Sequence, residues 1–169
     1  MGKIKYFPTT TFRLPVDSAY FVNNGIIPKE KADSIVKNVD WRLGRGGYYR
    51  HILFTLDFLA TNNWKRPVYF CNSMGSDSYM GLQQYFHQEG FAYRVLPIKA
   101  RSTDRQTGQV NTAVMYENLM KKFEFGNIEK TDVYLDETCA RMTINLKNLY
   151  SRLANALLDE GKKQQAIEV

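Results

Sequence analysis

The stretch Asn72-Ser73-Met74-Gly75-Ser76-Asp77-Ser78 concentrates small polar side chains in one place. The hydroxyls of Ser73, Ser76 and Ser78 and the amide of Asn72 are donors suited to phosphate or sugar oxygens. The stretch follows an apolar run, Val68-Tyr69-Phe70-Cys71, that reads as a buried strand. In an open α/β sheet, a loop that leaves the C-terminal end of a strand and opens a helix borders the crevice where ligands sit, and helix N-termini favour anions. Arg94, on a later apolar strand, could bring a cation to the same pocket. The stretch carries neither a GxGxxG nor a GxxxxGK[ST] pattern, and small polar residues are also what a capping loop needs. Two readings therefore stand: a ligand loop of Asn72, Ser73, Ser76, Ser78 and Arg94, or a plain cap.

No other group of residues singles itself out as catalytic. Asp136 and Glu137 are paired carboxylates, a type used in glycoside hydrolysis. They are adjacent at the start of a helix, where they suit capping and the helix dipole, and Arg141 lies four residues after Glu137, the spacing of a helical ion pair. Asp57 falls inside an apolar helical surface and needs a partner if buried, for which Arg66 is the candidate. Glu89 and Arg94 flank Gly90 at a tight junction and are expected to form a local pair. Cys71 is expected to be buried at a strand end and Cys139 to lie in the first turn of a helix. Two cysteines are no disulfide framework, and a bridge between them requires Cα atoms within about 7 Å. His51 and His87 sit in unrelated segments without metal-ligand spacing, so neither a metal nor a cofactor is expected.

The chain has 169 residues, 44% hydrophobic and 24% charged, the composition of a globular protein with a real core. Aromatics make up 14%, and Tyr69, Phe70, Tyr85, Phe86, Phe91 and Tyr93 are expected mostly on core faces. The net charge is +6, but the basic residues form only small clusters (Arg42, Arg45, Arg50; Lys99, Arg101, Arg105). Nucleic-acid binders concentrate such charge, so no nucleic-acid partner is expected; attraction to anionic headgroups or a phosphorylated ligand stays open. No apolar run reaches the roughly 18 residues of a membrane span, and Met1–Lys5 has no apolar h-region, so no signal peptide is expected there.

The elements that must position these residues follow from periodicity. Residues 1–49 read as an irregular extension, with an edge strand near Thr10–Val16, a short helix Ser18–Val22 capped by Asp17, a helical or simple turn after Pro28, and a glycine-rich joint at Gly44–Gly47. Residues 50–136 read as an α/β core. A largely buried helix from Tyr49 to Thr61 leads to strand Pro67–Cys71, then helix Tyr79–Gln88, strand Phe91–Ile98, helix Thr112–Phe123 and strand Asp132–Asp136. That order predicts a small, mostly parallel sheet of three to four strands flanked by helices. Residues 137–169 read as a long helix to Glu160 and a second from Lys162. Leu149, Leu153, Ala154, Ala156, Leu157, Gly161 and Ala166 match a tetratricopeptide-like hairpin. One such unit cannot bury its own apolar face, so the tail is expected to continue into further repeats.

Four segments together carry a family resemblance: TNNWKRPVYF (Thr61–Phe70), YMGLQQYFHQEGFAYRVLPI (Tyr79–Ile98), MYENLMKKFEFGN (Met115–Asn127) and YLDETCARMTINLKNLYSRLANALLDEGKKQQA (Tyr134–Ala166). They resemble the C-terminal, membrane-external region of bacterial, Bacteroidetes-type polytopic proteins with a protein O-mannosyltransferase-like membrane half, related to animal transmembrane protein 260. The likeness covers roughly 50–169 and is weaker before that. It implies a parent whose catalytic acidic residues lie in the membrane half, so no catalytic residue carries over to this chain. It also implies a location on the periplasmic side of the inner membrane, with the cytoplasmic side as the alternative.

The expected role is then a non-catalytic accessory domain of a membrane glycosyltransferase-like protein. Its partners would be the membrane half of its own parent chain and an acceptor protein or glycan. The alternative is a sugar- or phosphate-binding, or catalytic, α/β domain acting at residues 72–78.

Overall fold

In the computed structural model, which describes residues 11–43, 48–128, 130 and 134–169, polar–apolar alternation produces the first two strands. β1 (Thr11–Pro15) pairs antiparallel with β2 (Asn38–Arg42), placing Leu14 opposite Val39 and Arg13 opposite Asp40. Leu14, Val39 and Trp41 are buried. On the outer side Arg13 Nε donates to Asp40 Oδ1 at 2.7 Å, a cross-strand pair of opposite charge. The guanidinium holds the Asp40 carboxyl below the usual carboxylate range. Between these strands runs α1 (Ser18–Asn23), whose first turn is capped by Asp17 Oδ1 accepting from the Ala19 and Tyr20 amides. Lys29–Ser34 forms a 3₁₀ turn.

After α2 (Arg50–Asn62) come β3 (Tyr69–Cys71), two 3₁₀ turns at Ser76–Tyr79 and Gln83–Tyr85, and then β4 (Phe86–Gln88) and β5 (Ala92–Val95). β6 is Gln109–Val110. The second sheet has the order β3-β5-β4-β6. The expected mostly parallel sheet is thereby corrected: both sheets are small and the pairing is mostly antiparallel. The cause lies in the segment expected to be helix Tyr79–Gln88. Met80 (φ 54) and Gly81 (φ 80) both adopt the left-handed region, which ends any right-handed helix there. A Cβ on Gly81 would lie 2.5 Å from the Arg42 carbonyl oxygen, so only glycine fits. With no crossover helix, β4 and β5 close as a hairpin, the Glu89 amide donating to the Ala92 carbonyl at 3.0 Å; a parallel pair would need a connection of about a dozen residues or more. Tyr79 and Phe86, which fall within the expected helix, instead join an aromatic cluster, meeting edge-on at 5.2 Å. Phe86 stacks on Tyr93 at 5.4 Å and packs against Phe70 at 5.1 Å.

The chain divides into two compact units, residues 1–87 with 93–109, and residues 88–92 with 110–169. The core of the first is built around Phe21, Val39, Trp64, Phe70, Tyr85 and Phe86. The second contains α3 (Thr112–Glu117), which continues as a π-helical turn Asn118–Lys122, then α4 (Glu137–Asp159) and α5 (Lys163–Glu168). Its core is Met115, Leu119, Leu149, Leu153 and Leu157. The last three recur every four residues, the stripe of a helix buried on one side. Arg152 is buried on that side and donates to Gln88 Oε1. The Gly44–Gly47 joint lies outside the described residues, as do Asp132 and Val133 of the expected last strand. Its remainder, Tyr134–Asp136, is irregular, with Tyr134 90% exposed. Among the described residues no helix is long and apolar enough to cross a membrane.

Candidate functional site

α2 differs from its expected buried state. Leu59 is its one fully buried residue, with Ile52 and Leu56 packed beside the core. Tyr49 (73%), Phe54 (72%) and Phe58 (37%) are exposed, and Tyr49 stacks on the His51 ring at 5.7 Å. An apolar residue on every side of a helix does not tell which sides find a neighbour. Asp57 is exposed as well, so water solvates its charge. No ion pair joins it to Arg66 among the described residues.

The helix ends in a corner whose geometry is set by Asn62. Its side-chain oxygen accepts from the Arg66 amide at 3.2 Å and its side-chain nitrogen donates to the Arg66 carbonyl at 2.8 Å. The Lys65 amide closes on the Asn62 carbonyl at 3.0 Å. Inside this clasp Asn63 (φ 44) and Trp64 (φ 63) are consecutive left-handed residues. For a bulky residue such as Trp this backbone is a true outlier, held only where surroundings over-determine it. Here Trp64 Nε1 donates to the Pro15 carbonyl at 2.8 Å and the indole meets the Phe21 ring edge-on at 5.3 Å. The chain then enters β3, and the Val95 amide bonds the Val68 carbonyl at 2.9 Å, which sets Arg94 beside the corner.

A cavity of about 40 Å³ lies at this corner. Trp64, Val68 and Phe21 give it buried apolar walls, and Lys65, Arg66 and Arg94 are among the other residues that line it. Among the described residues no acidic side chain lines it, and neither Lys65 nor Arg66 is ion-paired. The Arg94 guanidinium carbon stands 5.9 Å from the centre of the Tyr69 ring, a cation–π contact.

The serine loop is organised differently. The Tyr79 hydroxyl lies 3.3 Å from both the Cys71 and Asn72 carbonyls, and the Ser78 amide donates to the Gly75 carbonyl at 2.9 Å. Ser73 Oγ sits 3.1 Å from Cys71 Sγ. Asn72 and Ser78 are half-buried, and Ser73 and Ser76 are exposed. The loop opens a single 3₁₀ turn beside an antiparallel sheet, so neither an α-helix N-terminus nor a parallel-sheet crevice backs it. Arg94 is placed with the corner, as one of the residues lining its cavity.

Cys71, expected to be buried, is exposed, and both cysteines are free thiols. Their environments diverge. Hydrogen bonds from Ser73 hold the Cys71 thiol below its ordinary range, whereas the hydrogen bond to Asp136 raises that of Cys139. Asp136 caps α4 through the Cys139 amide at 2.7 Å, and Glu137 pairs with Arg141 one turn on. Glu89 is buried and its carboxylate accepts from Asn111 at 3.0 Å. His87 is buried with Nε2 3.1 Å from the Ile98 carbonyl. No group of His, Cys, Asp and Glu among the described residues could hold a metal ion. Lys65, missed as a candidate, was signalled only by its place beside Arg66 and Pro67.

Fold and corner together define a mixed α/β module with a basic, rigidly held helix-to-strand junction. The chain belongs to the TMEM260-associated domain 2 family, whose model matches residues 1–114. The match therefore starts at the first residue, where the sequence likeness was weakest, and ends inside α3. No curated protein and no solved structure matches the chain.

Proposed function

We propose that this chain is a non-catalytic accessory domain of a membrane glycosyltransferase-like protein, one that presents an acceptor polypeptide to the membrane half of the parent. The observation that carries the proposal is the exposed aromatic ridge of α2. Phe54 and Phe58 stand one turn apart and exposed on a helix whose opposite side is anchored by Ile52, Leu56 and Leu59, and Tyr49 is exposed just before its start. Large aromatics held on a firm helix supply most of the energy of polypeptide recognition. The net charge of +6, with Arg50 in the first turn of the same helix, fits an acidic acceptor segment. The mannosyltransferase-like character of the parent and a periplasmic location are parts of this proposal that rest on the sequence resemblance.

The test is glycosyl transfer by the intact parent protein carrying Phe54→Ser and Phe58→Ser, beside a parent lacking this domain. Transfer that persists with an altered choice of acceptor supports the accessory role. Complete loss of transfer with a correctly folded membrane half would place chemistry in this domain and sink the proposal.

A further inference from the structure

We infer that α2 is a self-pairing surface: two copies of this chain join through its exposed face, antiparallel across a two-fold axis at Phe54. Within the chain the face is left to solvent. Phe54 is 72% exposed and Phe58 37%, and Arg50, His51 and Asp57 are exposed around them. Neither Arg50 nor Asp57 is ion-paired among the described residues. Nor can the two reach each other along the helix. Helical neighbours lie three or four positions apart, and seven positions separate this pair by about 10 Å.

The order of residues along α2 makes this face complementary to itself. Successive helical residues step about 100° around the axis and about 1.5 Å along it. Phe54 therefore stands in the middle of the face. Arg50 and Asp57 lie about 40–60° to one side of it, and Phe58 and His51 about 40–60° to the other. A two-fold axis lays each flank against the same flank of the second copy and reverses the helix direction. Arg50 comes four positions before Phe54 and Asp57 three after it. Arg50 of each copy is thus level with Asp57 of the other to within about 1.5 Å, and two pairs of opposite charge result. On the other flank Phe58 comes level with His51 of the second copy, where it extends the Tyr49–His51 stack. The two Phe54 rings meet on the axis. Parallel pairing would set Arg50 against Arg50 and Asp57 against Asp57, so charge selects the antiparallel arrangement. A second copy carries this complementary order by necessity, which no other polypeptide need do. The 13 residues of α2 span about 20 Å. Such a contact falls below the roughly 1,200 Å² of stable complexes, so the pair is weak and reversible. A paired ridge is closed to an acceptor; that consequence, unlike the pair itself, rests on the proposed acceptor role.

The experiment is sedimentation equilibrium of the 169-residue chain over about 10 μM to 1 mM, the range of a weak contact. The parent chain should form reversible dimers. Arg50→Asp and Asp57→Arg each set like charges together on both sides of the axis and should weaken association about tenfold. An equimolar mixture of these two variants should pair with about the parental affinity, because opposite charges then face each other again. Phe54→Ser should also disperse the dimer, and it serves if circular dichroism shows that a charge reversal misfolds. A parent chain that stays monomeric up to about 1 mM overturns the inference. So do dimers that the single reversals or Phe54→Ser leave unchanged, or a mixture that pairs no better than either variant alone. None of these readouts involves glycosyl transfer, so a failed pair and a failed acceptor role are told apart.

Discussion

The corner Asn62–Val68 and the loop Asn72–Ser78 flank the same three-residue strand, yet they treat their polar groups in opposite ways. In the corner one side chain, Asn62, clasps the backbone, and Lys65 and Arg66, which follow beside a cavity, make no ion pair among the described residues. In the loop the polar groups serve the loop itself: Tyr79 sits against two carbonyls and Ser73 against the Cys71 thiol. A high density of donors in sequence is therefore a poor guide to what is offered to a ligand. A single capping residue that releases its neighbours from structural duty is the more informative signal.

Four substitutions press on this contrast. Trp64→Ala removes a buried indole and its bond to Pro15, and should cost about 3–5 kcal/mol in urea unfolding of the chain; a loss below about 1 kcal/mol would mean the indole does not hold the corner. Asn62→Ala removes both bonds to Arg66 and should cost about 1–2 kcal/mol by the same measurement. Were it neutral, the backbone alone would set the corner and the contrast would fail. Tyr79→Phe deletes the hydroxyl beside the Cys71 and Asn72 carbonyls, with an expected cost of about 1 kcal/mol. Ser73→Ala should barely change stability, but it should move the Cys71 thiol up toward its ordinary range. In iodoacetamide labelling near neutral pH, Cys71 should react faster than Cys139 in the parent chain, because more of it is thiolate. The variant should narrow that difference, and equal rates in the parent would show that Ser73 does not tune the thiol.

What could be read from sequence was local. Asp17 as a helix cap, the short strand before it, and the long helix from Glu137 all follow from neighbours within a few positions, and each is present. The same local reading failed where a pattern satisfied two geometries. Tyr79, Leu82, Tyr85 and Phe86 have helical spacing, but two left-handed residues, Met80 and Gly81, divide them between turns and a strand. The parallel sheet rested on the alternating order of helices and strands, and without that helix β4 and β5 pair directly instead. On α2, apolar residues at almost every position implied burial, whereas the fold covers the side bearing Ile52, Leu56 and Leu59 and leaves Phe54 bare. The candidate site was half legible. Arg66 stood in view as a charged corner, but Arg94 joins it only through pairing of Val68 with Val95, and long-range strand pairing leaves no mark on adjacent residues.

The Asn62 clasp also bears on the order of folding. It closes a contact over four positions, whereas the strand pairing that brings up Arg94 closes one between Val68 and Val95. Loop-closure entropy grows with the length enclosed, and local contacts form faster than distant ones. The bend with Lys65 and Arg66 is thus free to form early, and the wall bearing Arg94 arrives later. In pulsed hydrogen exchange during refolding, the Lys65 and Arg66 amides should gain protection before the Val95 amide does, so that the cavity is completed only as the second sheet closes.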